Sequence, residues 1–151
     1  MKESSRIRSS HGAIGEYLVL AELLKRDFMA FLAQGDTQVD WDIILFNTNN
    51  SVKKVQVKAI NITINNSAVN INPESIKNID YLVIVLLNIP SEEEFDENKA
   101  SEFFIIPSEN INELFGKTDE NRKDNKRTIT IKIDKSNIKD YRSKWSLIKK
   151  K

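Results

Sequence analysis

The sequence predicts one layered α/β (α+β) domain spanning residues 1–151. Three observations carry this prediction. Apolar residues recur at helical spacing near the amino end, at Ala13, Tyr17, Leu20, Ala21 and Leu24. Tyr81–Leu87 is a continuous apolar run of strand length, the pattern of a strand covered on both faces. Around that run lie short β-branched segments punctuated by Asn, Gly and Pro, so strands and helices alternate along the chain.

Each element follows from local pattern. Gly12 to Asp27 reads as the first helix, with Ser9 or Ser10 as its cap. Phe28–Leu32 is an apolar segment, and Gln34-Gly35-Asp36-Thr37 is turn-like. Val39–Phe46 and Val52–Ile60 read as strands joined through a turn at Asn47–Ser51. Ile62, Ile64, Val69 and Ile71 alternate around Asn65-Asn66-Ser67, suggesting a small hairpin or a strand extension. Asn72-Pro73-Glu74 starts a short helix, because proline is tolerated where no N–H partner is needed. Ser91–Glu102 is an acidic loop, and Phe103–Ile106 is a strand. Ser108–Phe115 is a short helix stopped by Gly116, and Lys117–Arg127 is a polar loop. Thr128–Ile133 alternates as a strand, and an amphipathic helix from about Ile138 carries Tyr141, Trp145 and Ile148 toward the core.

Composition excludes several classes of protein. With 40% hydrophobic and 30% charged residues, 4 Gly and 3 Pro, the chain is neither disordered nor a low-complexity linker. No apolar run reaches the ~18 residues of a membrane span, and no charged segment followed by an apolar one opens the chain. A cytoplasmic domain with no membrane partner is therefore expected. Zero cysteines remove disulfides, thiol nucleophiles and Cys-based zinc sites, and the single His11 removes a multi-His metal centre. The net charge of +1 conceals an asymmetry: residues 1–60 carry +1, residues 61–118 carry −7, and residues 119–151 carry +7. A basic final third can be a footprint for phosphate, or simply a solvated helix face and a frayed terminus.

The chemistry-bearing residues gather around the turn at Asn47–Ser51. If that turn is centred on Asn49, Asp42 faces Gln56 and Asp40 faces Lys58 across the strand pair. Val55, Val57 and Ala59 then lie on the other face. On the first helix, Glu16 falls between Leu20 and Leu23 inside the apolar arc, where a carboxylate is costly unless it is paired or faces a metal. Glu16, Asp42, Gln56 and Lys58 make an oxygen-rich site with one ammonium, the donor type that Mg²⁺ prefers. Such an ion polarises a phosphoryl oxygen and activates a bound water. A neighbouring lysine orients that water, stabilises developing charge, or serves as base. These are the minimum parts for phosphodiester hydrolysis.

Gly12-Ala13-Ile14-Gly15-Glu16, Trp41-Asp42-Ile43-Ile44 and Val55-Gln56-Val57-Lys58 resemble, in order and spacing, the motifs of the PD-(D/E)XK nuclease superfamily. The resemblance implies a restriction-endonuclease-like core, a central mixed β-sheet flanked by helices. It also implies Mg²⁺ or Mn²⁺ held by Asp42, by the Gln56 amide oxygen, by the Val57 carbonyl and by Glu16, with Lys58 as the catalytic lysine. Trp41 stands where the motif has proline, and Gln56 where it has an acidic residue. Asp40 is the alternative ligand if the register differs. Arg6, Arg8 and Lys54 are candidate DNA contacts, whereas Trp145 and Tyr141 read as core and His11 as a capping or solvent residue.

The function expected from this set is metal-dependent cleavage of DNA, directed by structure or by a partner, since no separate recognition module fits in the chain. Cutting both strands needs two sites, which makes a homodimer attractive. Two other classes remain open. One is a nucleic-acid-binding module that keeps the scaffold without catalysis, motivated by Gln56 and the basic final third. The other is an interaction subunit with no nucleic-acid affinity, for which Glu92-Glu93-Glu94 is the docking candidate.

Overall fold

The computed structural model describes residues 2–33, 40–61, 67–90, 96–117, 121–132 and 134–149, with side chains from Ser10 onward. The first helix, α1, spans Lys2–Leu24 and so begins well before the expected Gly12. Ser9 and Ser10 lie inside it rather than capping it, because the backbone stays helical through a polar stretch that has no apolar rhythm. Its end is a left-handed stop. Asp27 adopts φ 60°, and the Phe28 N–H reaches back to the Leu23 carbonyl at 3.1 Å, an arrangement that satisfies last-turn carbonyls.

Among the described residues seven strands follow: β1 Met29–Leu32, β2 Ile43–Phe46, β3 Val52–Asn61, β4 Ser67–Ile71, β5 Tyr81–Leu87, β6 Glu102–Pro107 and β7 Arg127–Ile131. Five of them form one mixed sheet in the order β1-β2-β3-β5-β6. Only β3 and β5 run parallel, so the chain must cross over between them. That crossover contains β4 and a 3₁₀ helix at Pro73–Asn78, where the Asn72 side chain caps the Glu74 N–H as its position before proline suggests. β4 pairs with the distant β7 in a separate two-stranded ribbon, from Ser67↔Ile131 to Ile71↔Arg127. The hairpin considered around Asn65–Ser67 falls partly on 62–66, outside the described residues.

β5 is buried along its whole length because both faces of the sheet are covered there. On one face, Val19 and Leu23 of α1 pack with Ile43, Leu45, Val55, Val57, Val83, Val85 and Ile105. On the other, Leu82, Ile84, Leu86, Phe104 and Ile106 meet Val69, Ile71, Ile129 and Ile131 of the ribbon. The ribbon's alternation, Ile129 and Ile131 inward and Thr130 outward, is the expected one. Each fully buried Leu or Ile side chain contributes about 1.5–3 kcal/mol, so these two layers dominate the fold's stability. The sheet is thus a central mixed sheet with α1 and the turn at Trp145–Leu147 on one side, and with the ribbon and the other 3₁₀ turns on the other. The expected terminal helix from Ile138 is two 3₁₀ turns, Lys139–Tyr141 and Trp145–Leu147. It is interrupted where the Ser143 N–H bonds the Phe103 carbonyl at 2.8 Å and Arg142 bridges to Phe104. Trp145 is buried and Tyr141 packs against the second core, as their pattern suggests. No helix among the described residues is long and apolar enough to cross a membrane.

Candidate active site at the end of the β2–β3 pair

The β2–β3 hairpin sets the frame. Asn47–Ser51 closes it: the Asn47 N–H bonds the Ser51 carbonyl at 2.8 Å, and Asn50 takes the left-handed φ of 62° that asparagine tolerates. The register is the expected one from Phe46↔Val52 to Ile43↔Val55. There it ends. The Asp42 N–H also donates to the Val55 carbonyl, at 2.8 Å, so two residues of one strand share one partner. This is the geometry of a β-bulge, which bends a strand and re-aims a side chain. The expected cross-strand pairs Asp42–Gln56 and Asp40–Lys58 therefore do not form as a continued ladder.

The bulge separates the two aspartates. Asp40 turns to the 3₁₀ helix at Pro73–Asn78, where one carboxylate oxygen accepts from Ser75 Oγ and the other from Asn78 Nδ2, both at 2.7 Å. Both of its oxygens are occupied. Asp42 Oδ2 instead accepts the Val57 backbone N–H at 2.7 Å, which locks the carboxylate onto β3. Among the described residues its other oxygen has no hydrogen-bond donor.

Alternation along β3 puts Val57 and Ala59 toward α1, and Gln56 and Lys58 toward the other face. Gly15 decides how close the helix comes. A Cβ at this position would collide with the Cβ of Ala59, so only glycine allows this approach. The next residue, Glu16, is thereby carried to the mouth of the bulge. It makes no ion pair within the described residues, and its carboxyl is raised above the ordinary range, first by burial and then by the Asp42 charge.

Burial likewise raises Asp42, against the pull of the Val57 N–H and Lys58 in the opposite direction. Lys58 is held below the usual lysine range by burial, opposed by Asp42 and reinforced by Lys126. Asp42 is thus electrostatically coupled to Glu16 on one side and to Lys58 on the other. Gln56, on the same face of β3 as Lys58, is 7% exposed, and its Oε1 is buried with no hydrogen-bond partner. An amide oxygen in that state ordinarily costs about 1–3 kcal/mol. It is a hard oxygen donor of the kind that suits Mg²⁺ or Mn²⁺. Among the described residues, no three Asp, Glu or His side chains converge on one point. A cation here would thus draw on the Gln56 amide and the backbone as well as on the acids.

Lys54 Nζ lies 4.0 Å from the centroid of the Trp41 ring, on the face of the β2–β3 hairpin that also carries Phe46 and Val52. Trp41, at the motif's proline position, packs against the second core. His11 lies within α1 and caps nothing. The side chains of Arg6 and Arg8 fall outside those described, as does the Glu92-Glu93-Glu94 segment. Two features come from the fold alone: the electrostatic effect on Lys58 of Lys126, in the stretch read as a polar loop, and the role of Gly15, a motif residue whose missing Cβ admits the helix. The basic charge of the final third was the one signal pointing to Lys126.

No family model matches the chain, and no curated protein matches it. Solved structures similar to it include two nucleases. A bacterial homing endonuclease, I-Ssp6803I, aligns with a TM-score of 0.53 at 19% identity, covering 91% of this chain and 87% of that one. Hjc, a Holliday junction resolvase from Archaeoglobus fulgidus, aligns with a TM-score of 0.44 at 12% identity, covering 78% of this chain and 82% of that one. The central mixed sheet with its flanking helix is thus an arrangement found in a nuclease fold.

Proposed function

We propose that this chain is a divalent-metal-dependent DNA endonuclease of the PD-(D/E)XK type, with Glu16, Asp42, Gln56 and Lys58 as its site. The observation that carries the reading is the Gln56 amide oxygen, buried and unpartnered two residues before Lys58. A fold built only for stability gains nothing from such an atom, whereas a cation would satisfy it. The likeness of fold to a homing endonuclease supports DNA as the substrate class.

In this reading Asp42, Gln56, the Val57 carbonyl and Glu16 hold Mg²⁺ or Mn²⁺. The ion, when bound, supplies Lewis acidity toward a phosphoryl oxygen and a water of lowered pKa. The protein's own part is positional. The Val57 N–H fixes the Asp42 carboxylate, leaving its second oxygen for the ion. Gly15 sets the distance of Glu16 from β3. Lys58, with its proton affinity reduced by burial, orients the attacking water and faces the charge that develops on the phosphate. Cutting both strands of a duplex takes two such sites, which two copies of the chain would provide.

The test is incubation of the purified protein with plasmid, branched and single-stranded DNA in Mg²⁺ or Mn²⁺. Cleavage of at least one substrate, lost in chelator and in Lys58→Ala, is expected. No cleavage, or cleavage unaffected by Lys58→Ala, contradicts the proposal. A second reading is favoured by the neutral Gln56, which lowers the negative charge available to a cation: a DNA-binding module without catalysis. It predicts salt-sensitive DNA binding that persists without divalent metal and after Asp42→Ala.

A further inference from the structure

Three stretches of chain meet where β6 begins and enclose a cavity of about 370 Å³. Lys99 and Ser101 come from the segment before β6, and Glu102 is its first residue. Lys135 comes from the turn after β7, and Arg142 and Ser143 from between the last two 3₁₀ turns. Among the described residues the lining carries three cations and one carboxylate, and no aromatic ring on which a base could stack. Its excess charge is positive, which suits an anion.

The acid holds two of the cations in place. Glu102 is 9% exposed; its Oε2 accepts from Lys135 Nζ at 2.5 Å, and its Oε1 lies 2.6 Å from Arg142 Nη2. A buried carboxylate needs a countercharge, and here it has two. Lys135 Nζ keeps two of its three donors, and Arg142 those of its other nitrogens, with no acceptor for them among the described residues. The backbone fixes this wall. Lys135 and Ser143 take left-handed φ values of 56° and 52°. Of the non-glycine residues in that region they alone are neither Asp nor Asn, the types that tolerate it. On the opposite wall Asn88 Nδ2 donates to the carbonyls of Asp96, at 2.8 Å, and Lys99, and the Asn88 N–H donates to Ser101 Oγ at 3.3 Å. The exposed Lys99 side chain makes no ion pair among the described residues.

The sheet register relates this pocket to the candidate site. Glu102 pairs with Leu86, and Leu86 with Ile60, two residues beyond Lys58 on the same face. Two strand spacings and two residues of rise put the Cα atoms of Glu102 and Lys58 about 12 Å apart. A DNA strand covers that in roughly three or four nucleotides of rise.

We propose that Lys99, Lys135 and Arg142 form a phosphate-binding pocket, and that it takes a backbone phosphate of the nucleic acid engaged at Lys58, away from the reacting bond. The choice of a backbone phosphate over free phosphate rests on the endonuclease reading; the anion pocket itself does not.

The experiment compares the full chain with Lys99→Ala, the double variant Lys99→Ala with Arg142→Ala, Arg142→Lys, and Lys149→Ala as a control. In chelator, labelled duplex and branched DNA are titrated by anisotropy across a salt series. Inorganic phosphate is titrated by amide NMR against chloride at matched ionic strength, and cleavage is followed separately in Mg²⁺. Lys99→Ala should lower the slope of log affinity against log salt by about 1, and the double variant by about 2. Affinity should fall about 3-fold and about 10-fold, the size of one and two exposed charge contacts. Arg142→Lys and Lys149→Ala should keep the wild-type slope. Inorganic phosphate should shift the Ser101, Glu102 and Ser143 amides of the wild type and not those of the double variant. Lys99 holds no carboxylate among the described residues, so its variant decides the matter even if loss of Arg142 loosens Glu102. Lowered slopes without a response to free phosphate uphold the backbone contact. Unchanged slopes with those amides still shifting mean a pocket for free phosphate, and overturn the nucleic-acid assignment. Unchanged slopes and no shifts overturn the pocket, while cleavage lost in Lys58→Ala would leave the endonuclease reading standing. Lowered slopes in a protein that cuts nothing in Mg²⁺ uphold the pocket and remove the endonuclease reading. A wild type that neither binds DNA at low salt nor responds to phosphate overturns both.

Discussion

The Val57 backbone N–H donates to Asp42 Oδ2 at 2.7 Å, a bond from the middle of one strand to a side chain at the bulged end of its neighbour. In the proposed site Asp42 is thus structural and chemical at once, and the two roles separate by substitution. Asp42→Asn keeps an oxygen for Val57 and should fold normally while losing cleavage. Asp42→Ala leaves the N–H without its partner and should cost about 1–3 kcal/mol as well. Paired melting curves and plasmid-nicking assays distinguish the two variants, and equal melting temperatures for both would contradict this role for the bond.

Gly15→Ala asks whether helix proximity matters. Alanine favours a helix by about 1 kcal/mol, but its Cβ meets the Ala59 Cβ in a contact that neither side chain can turn away from. Overpacking of about 1–3 kcal/mol should outweigh the gain. Activity should fall further than stability, because Glu16 moves with the helix. Adding Ala59→Gly should return much of the cleavage. Failure of that second change to help would show that the contact does not set the site.

Gln56 allows the orphaned amide oxygen to be tested directly. Gln56→Leu removes a buried acceptor without a partner and should be neutral or stabilising in chemical denaturation, yet inactive. Gln56→Glu restores a negative ligand and should lower the Mg²⁺ concentration for half-maximal cleavage by about 10-fold, a change that second-ligand substitutions commonly reach.

The raised Glu16 carboxyl gives a pH signature in the metal-free protein. A group whose folded-state pKa lies above its unfolded value opposes folding at neutral pH; the penalty is relieved as pH falls through the folded value and is gone below the ordinary 4.5. The metal-free wild type should thus gain thermal stability between pH 7 and that range, and Glu16→Gln should flatten this gain and raise Tm at pH 7 by about 2 °C. Mn²⁺ should raise the wild-type Tm more than that of Glu16→Gln. Calorimetric scans with and without Mn²⁺ at two pH values read all of this.

Much of this arrangement is legible from residues alone. The apolar run Tyr81–Leu87 is β5, Asn72-Pro73 starts a capped turn, and the Asn49-centred register holds through Ile43↔Val55. What is hidden comes from interactions that no local pattern encodes. The bulge at Asp42 is held where its N–H donates to the Val55 carbonyl while its carboxylate accepts the Val57 N–H. The β4–β7 pairing joins residues some sixty positions apart. Tyr141 and Trp145 share a helical spacing, but the docking of Ser143 onto β6 breaks the helix between them. At the candidate site, strand pattern and motif mark Glu16, Asp42, Gln56 and Lys58, whereas the electrostatic effect of Lys126 on Lys58 comes only from the fold.

The most direct measurement is anomalous diffraction from crystals of the protein grown with Mn²⁺. The account predicts one peak in contact with the Asp42 and Gln56 oxygens, absent from Asp42→Asn crystals. A map without a peak there, or with the ion on Asp40 instead, would contradict it.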